Sequence, residues 1–207
     1  MCTELGHLSQ GYGSTIGTDT IQFMDNEIID NIPSDRTVTY TRIVVDFRPP
    51  KADPNRVRIT ACGNLIVYPD ELTTRTADLI TTKIMWNSVL STPGARYMCI
   101  DIKNMYLATP LDRYEYIKMT VDLIPDNIMD LYNLHNKVKN GFVYMQIQRG
   151  LYGLPQSGIL ANKLLCERLK PNGYYKIPQT PGLWNHVTLP VLFTLVVDDF
   201  GLKYTGK

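Results

Sequence analysis

The stretch Val191 to Tyr204 reads V-L-F-T-L-V-V-D-D-F-G-L-K-Y and sets the terms for the rest of the chain. An apolar run of strand formers, Leu192, Phe193, Leu195, Val196 and Val197, meets two adjacent aspartates, Asp198 and Asp199. Phe200, Gly201, Leu202 and Tyr204 then restart a strand pattern, so the stretch predicts a β-hairpin with its charges at the turn. No basic residue lies between Phe193 and Asp199 to offset the carboxylates. Adjacent carboxylates repel, more so on burial, unless a cation lies between them, and a divalent metal is the simplest such cation. Taken alone, Asp-Asp also reads as an ordinary solvated turn, so the surrounding sequence has to decide.

Working outward, Tyr97 to Ile102 (Y-M-C-I-D-I) predicts an apolar strand with one acid, Asp101, inside it. An acid in such a run needs a physical reason. Gly150 to Gly158 is a glycine-punctuated loop, followed by a helix over 159–169 with Leu164, Leu165 and Leu169 on one face. Phe142 to Arg149 alternates Val143, Met145 and Ile147 against Tyr144, Gln146 and Gln148, a half-buried strand. After Pro125, Asp126 is placed to cap a helix carrying Ile128, Leu131, Leu134 or His135, and Val138, ended by Gly141. Residues 77–90 predict a helix with Leu79 or Ile80 and Ile84 on one face, stopped by Thr92-Pro93-Gly94.

Val38 to Phe47 and Val57 to Cys62 predict an antiparallel hairpin with turn chemistry at Lys51-Ala-Asp-Pro-Asn55. Arg42 and Arg48 read as solvated strand charges, and Asp46 as structural, paired with Arg48 or Arg58. Trp86 and Trp184 read as core or edge anchors. Residues 1–33, rich in Gly, Ser, Thr and acids, predict a loosely ordered arm with one short strand.

The 207 residues suit one domain or two small ones. A formal net charge of +1 neither requires nor excludes a nucleic-acid partner, since a local basic patch decides that. The start has no basic region followed by an apolar core, which argues against secretion, and no apolar run nears a membrane span. Cys2, Cys62, Cys99 and Cys166 have no zinc-site spacing and read as reduced thiols; His7, His135 and His186 form no metal motif.

If the Asp101 strand and the Asp198–Asp199 hairpin share a sheet, three carboxylates converge at one edge. Carboxylates, waters and substrate phosphates are the ligands Mg²⁺ prefers. Two such ions would activate an attacking hydroxyl and stabilise a leaving pyrophosphate.

At these residues the sequence resembles the reverse transcriptases of copia-like LTR retrotransposons over roughly residues 38–207. C-I-D-I-K-N-M-Y-L-A-T-P-L-D (99–112) resembles the first palm motif, R-G-L-Y-G-L-P-Q-S-G (149–158) the loop before a palm helix, and L-V-V-D-D (195–199) the Y-x-D-D motif. The resemblance implies an α/β (α+β) right-hand polymerase: an N-terminal arm (1–37), fingers (38–96) and an antiparallel palm (97–207) flanked by helices 77–90 and 159–169.

It further implies Asp101, Asp198 and Asp199 as catalytic acids, with the Ile102 carbonyl also at a metal. The cofactors would be two Mg²⁺ ions, with Mn²⁺ as a substitute. Tyr106 would act as a gate under the sugar, and Gln156 would lie beside the incoming nucleotide. Two alignments of the hairpin compete. One matches V-D-F-R (45–48) to a retroviral string; the preferred one places Lys51 and Arg58 on the triphosphate and likens R-V-R-I-T-A-C-G-N (56–64) to a copia-like string.

The implied partners are a primed RNA or DNA template, deoxynucleoside triphosphates and other retroelement polyprotein domains. The implied location is a cytoplasmic virus-like particle or the nucleus. Val196 replaces the tyrosine expected before the aspartates, and the string reaches Lys207 without a thumb or RNase H sequence. A non-catalytic nucleic-acid-binding relic is the other reading. A carboxylate nuclease or integrase fits less well, because Tyr106 and the L-P-Q loop have no place in that chemistry.

Overall fold

The computed structural model describes residues 1–49 and 54–206. In chain order the elements begin with α1 (Cys2–Leu8), β1 (Gly11–Tyr12), β2 (Thr15–Ile16), β3 (Ile21–Phe23) and α2 (Asn26–Ile29). The middle holds β4 (Val38–Phe47), β5 (Asn55–Ala61), α3 (Leu79–Ser91), β6 (Ala95–Asp101), β7 (Pro110–Thr120), α4 (Asp126–Leu131), β8 (Val138–Lys139) and β9 (Phe142–Arg149). The chain ends with α5 (Ser157–Leu169), β10 (Tyr174–Lys176), β11 (Leu183–His186), β12 (Val191–Val196) and β13 (Asp199–Thr205). The fold is mixed α/β with several sheets. It divides into two compact units, each built from two separate stretches of chain: 1–72 with 106–160, and 73–105 with 161–207.

The first unit is organised on a sheet in the order β3-β9-β7-β4-β5, with β8 paired to β9. Period-2 alternation drives it. Val143, Met145 and Ile147 are fully buried, as are Ile117 and, within a hundredth, Met119 on β7. Leu5 and Leu8 of α1 and Ile128 and Met129 of α4 complete that core. Each such side chain contributes about 1.5–3 kcal/mol on burial, which outweighs the weak propensity of these short helices. The N-terminal segment therefore differs from the loose arm expected. It folds as α1, and β3 pairs with β9, Ile21 opposite Ile147. The helix after Pro125 ends at Leu131 instead of running on to Gly141, because Asn133 takes a left-handed conformation (φ 55°), and Asp126 lies inside the helix rather than capping it.

The β4–β5 hairpin forms as expected, with Val44 opposite Arg58, and Asp46 is ion-paired with Arg48 at 2.5 Å. Residues 51–53 of its expected fingertip turn, Lys51 among them, lie outside the described residues.

The second unit carries the antiparallel sheet β10-β11-β12-β13-β6. Trp184, Phe193 and Leu195 form its core with Leu165, Cys166 and Leu169 of α5 packed on them. The Trp184 and Phe193 rings stack at 5.7 Å and 10°. α3 packs on β6, β12 and β13. Asp78 caps it by accepting from the Thr81 N–H at 2.6 Å, a contact that holds the carboxyl below its ordinary range. The helix lies where the periodicity places it, but with another face inward. Met85 is buried, whereas Leu79, Ile80 and Ile84 are each about two-thirds exposed. Trp86 is half exposed against Tyr97, while Trp184 is a core residue.

Candidate active site

The hairpin read from Val191–Tyr204 forms with a two-residue loop, Val197-Asp198, closed by the pair Val196–Asp199. Only the first loop residue has a positive φ, 61° at Val197, as in the tight turn that normally takes glycine there. A β-branched residue in this region is strained, by roughly 1–3 kcal/mol, and such strain gathers at functional sites. The apolar strand leading into the turn, β12, helps hold it in place, since Phe193 and Leu195 are buried.

The outer neighbour of β13 is β6, and the register sets Asp199 directly opposite Asp101. Ile102 N–H donates to the Asp198 carbonyl at 3.1 Å, continuing that register by one residue. Antiparallel pairs alternate, so Asp101–Asp199 is a pair of the non-hydrogen-bonded kind, in which facing side chains come closest. Strands nearly 100 residues apart in sequence thus bring Asp101, Ile102, Asp198 and Asp199 to one end of one sheet. Asp101 and Asp199 are exposed and share the face covered elsewhere by α3. On that same face Lys203 is committed to α3, donating to the Ser88 carbonyl at 3.0 Å and to Thr92 Oγ1 at 2.8 Å. Burial lifts the Tyr97 phenol on β6 above its ordinary value. Among the described residues, no ion pair reaches Asp101 or Asp199.

The donors are hard oxygens held against mutual repulsion, which suits a hard divalent cation. Among the described residues, no three His, Cys, Asp or Glu side chains are arranged to hold a metal ion by themselves. Mg²⁺ does not require such a cage, because it is usually held by one or two carboxylates with waters and substrate phosphates. The residues present fit that mode of binding.

The other expected site residues belong to the first unit. Arg58 lies with its guanidinium 4.7 Å from the centre of the Tyr152 ring, and Tyr152 meets Tyr106 edge to face at 5.5 Å. Arg58 Nε is buried without a hydrogen-bond partner among the described residues. Tyr152, which the sequence reading left unassigned, thus links two residues it singled out. It is fixed by its own backbone, whose carbonyl accepts from the Ala61 N–H at 2.8 Å. The approach is so close that a Cβ on Gly63 would overlap the Gly153 carbonyl oxygen, and Gly153 has a φ of +91°. The glycines punctuating this loop are what admit it.

Gln156 is fully buried, and its amide donates to Glu115 Oε1 at 2.9 Å. Glu115, also buried, pairs with Arg113 at 2.8 Å. Among the described residues, Gln156 Oε1 and Glu115 Oε2 have no hydrogen-bond partner. Glu115 is a second residue left unassigned. Its signal is the alternation E-Y-I-K-M-T over 115–120, which puts the acid on the apolar side of β7.

No protein-family model matches the chain, and no curated protein matches it. Any assignment of function rests on the residues themselves.

Proposed function

We propose that this chain provides the fingers and palm of an RNA-directed DNA polymerase, extending a primer 3′ end with deoxynucleotides by two-metal phosphoryl transfer. The observation that carries the reading is the cross-strand pair Asp101–Asp199, joined to Asp198 through the Ile102 hydrogen bond. It supports the reading because it brings two acids, and the backbone of a third, from motifs far apart in sequence to one end of one sheet.

In this reading Asp101, Asp198 and the Ile102 carbonyl hold the metals, and Asp199 assists and shapes the local field. The bound ions, Mg²⁺ or Mn²⁺, supply charge neutralisation for the transferred phosphate. The protein contributes chiefly positioning and electrostatics, as in other phosphoryl transfers. The family resemblance would further assign Arg58 to the triphosphate and Tyr106 to the space under the sugar, while the Gln156 amide expected beside the nucleotide is already taken by Glu115. The partners are a primed template and deoxynucleoside triphosphates. Among the described residues, no helix is long and apolar enough to cross a membrane.

A second reading is a non-catalytic nucleic-acid-binding relic. It is favoured by Gln156, whose amide is occupied by Glu115 rather than offered to a ligand.

Calorimetric titration with a deoxynucleoside triphosphate separates the two. The polymerase reading expects Mg²⁺-dependent binding that is lost in Asp101→Asn and Asp198→Asn. Nucleotide-independent duplex binding that ignores both substitutions would establish the relic instead.

A further inference from the structure

The outer face of the first unit's sheet has a composition unlike a solvated strand surface. Tyr40 on β4, Lys118 on β7, and Phe142 and Tyr144 on β9 share the side opposite the core, because their neighbours Thr39, Ile117, Val143 and Met145 are fully buried or nearly so. The Lys118 ammonium lies 4.8 Å from the Tyr40 ring centre, 4.6 Å from Phe142 and 5.8 Å from Tyr144. Tyr40 is about half exposed and meets Phe142 edge to face at 6.2 Å. Among the described residues Lys118 has no carboxylate partner, so its charge is balanced only by ring faces. Beside the rings lie amides: Gln148 donates to Gln22 at 2.6 Å and to Gln146 at 3.2 Å. At the Phe142 end, Lys139 stands opposite in register and is paired with Asp30.

We propose that this face binds single-stranded nucleic acid. Open sheet faces with aromatic side chains are stacking platforms for unpaired bases, and the pairing of rings with a cation matches the π-faces and phosphates of a single strand. Phe142 and Tyr144 are two residues apart on one strand, so their rings are spaced by about 7 Å. That spacing accepts successive bases of an extended strand. Lys118 lies at the centre of the three rings. Bases entering between the rings release its ammonium to a phosphate, while the glutamines offer donors and acceptors to base edges. In register Lys118 lies between Tyr144 and Tyr40, so the middle of this face is cationic, which favours an anionic partner over a basic one. The site lies wholly in the first unit and does not rest on the polymerase reading.

Fluorescence anisotropy of the full chain with labelled oligonucleotides of about ten thymidines, ten uridines and a duplex of equal length tests this. The expected result is binding to a single strand in preference to duplex, with the DNA and RNA arms showing which sugar is favoured. Tyr40→Ala and Tyr144→Ala should each weaken binding by roughly 5- to 150-fold. Tyr144→Phe should retain it, since the ring rather than the hydroxyl does the stacking. Lys118→Gln should lower the log–log salt slope by about 0.7. Asp101→Asn should leave binding unchanged, so failure here and failure of the polymerase site are told apart. The proposal is overturned if duplex binds as well, if folded alanine variants bind as wild type, or if no oligonucleotide binds. It is equally overturned if sedimentation shows self-association through this face in place of oligonucleotide binding.

Discussion

Removing one acid from the Asp101–Asp199 pair should change stability in opposite directions with and without a divalent cation. The two residues are direct cross-strand partners of the closely spaced kind. Two charges about 5–6 Å apart repel by roughly 0.7 kcal/mol at the dielectric constant of water, and by several times that where solvent is excluded. Both side chains are exposed, so the low end applies, about 0.5–1 kcal/mol, consistent with like-charge pairs in sheets. In chelator-treated buffer Asp199→Asn should therefore be more stable than wild type by that amount. For a chain of this size this corresponds to about 1–4 °C in Tm.

Added Mg²⁺ should reverse the order. With 10 mM ion and a dissociation constant near 1 mM, the wild type gains about 1.4 kcal/mol from binding. The variant, lacking one ligand, gains much less. Tryptophan fluorescence is a suitable probe, because both tryptophans, Trp86 and Trp184, lie in the unit that carries the site, and Trp184 is buried against Phe193. Ionic strength should be matched with monovalent salt, so that general screening is not mistaken for binding. If Asp199→Asn is the less stable protein without metal, the carboxylates do not oppose each other as described. If Mg²⁺ shifts both proteins equally, no ion is held by this pair.

Three further outcomes are expected. Val197→Gly should relieve the turn strain and, after the entropy cost of glycine, raise stability by about 1 kcal/mol in the same fluorescence melt; a loss of stability would show that the turn is not strained. Gly153→Ala should destabilise the first unit by about 3 kcal/mol or more, read by circular dichroism, because the added methyl meets the Ala61 backbone at a left-handed φ. Burial first, and then the hydrogen bond to Asp112 at 2.5 Å, push the Tyr68 phenol up to about 12 from 10.0. The stability this confers is therefore complete below pH 10 and is lost as pH rises from 10 to about 12. Alkaline spectrophotometric titration should show Tyr68 titrating late, and Asp112→Asn should bring it back toward the ordinary range while leaving Tyr97 raised.

Much of this architecture is legible in the string of residues. The strands over 38–47 and 142–149, the hairpin at 191–204 and helices α3 and α5 follow from periodicity and from proline and glycine punctuation, because those signals are local. Local signals also fail in identifiable places. The α3 pattern gave the helix but not its inward face: Met85 faces the sheet and the Leu79–Ile84 stripe faces out, a choice made by packing partners the helix does not encode. The N-terminal segment looked too polar to order, yet Leu5 and Leu8 are held by α4 and the sheet, all distant in sequence. Glu115 and Tyr152 became visible only once β7 and the loop over 150–158 were in place beside Gln156 and Arg58.

The sequence by itself determined that Asp198 and Asp199 sit at a turn between apolar strands, since an Asp-Asp within such a run has nowhere else to go. Only the tertiary structure decided that β6 lies beside β13 with Asp101 opposite Asp199. Cross-strand register is set by long-range hydrogen bonding and by which faces are buried, and a slip of one residue would have turned Asp101 to the other side of the sheet.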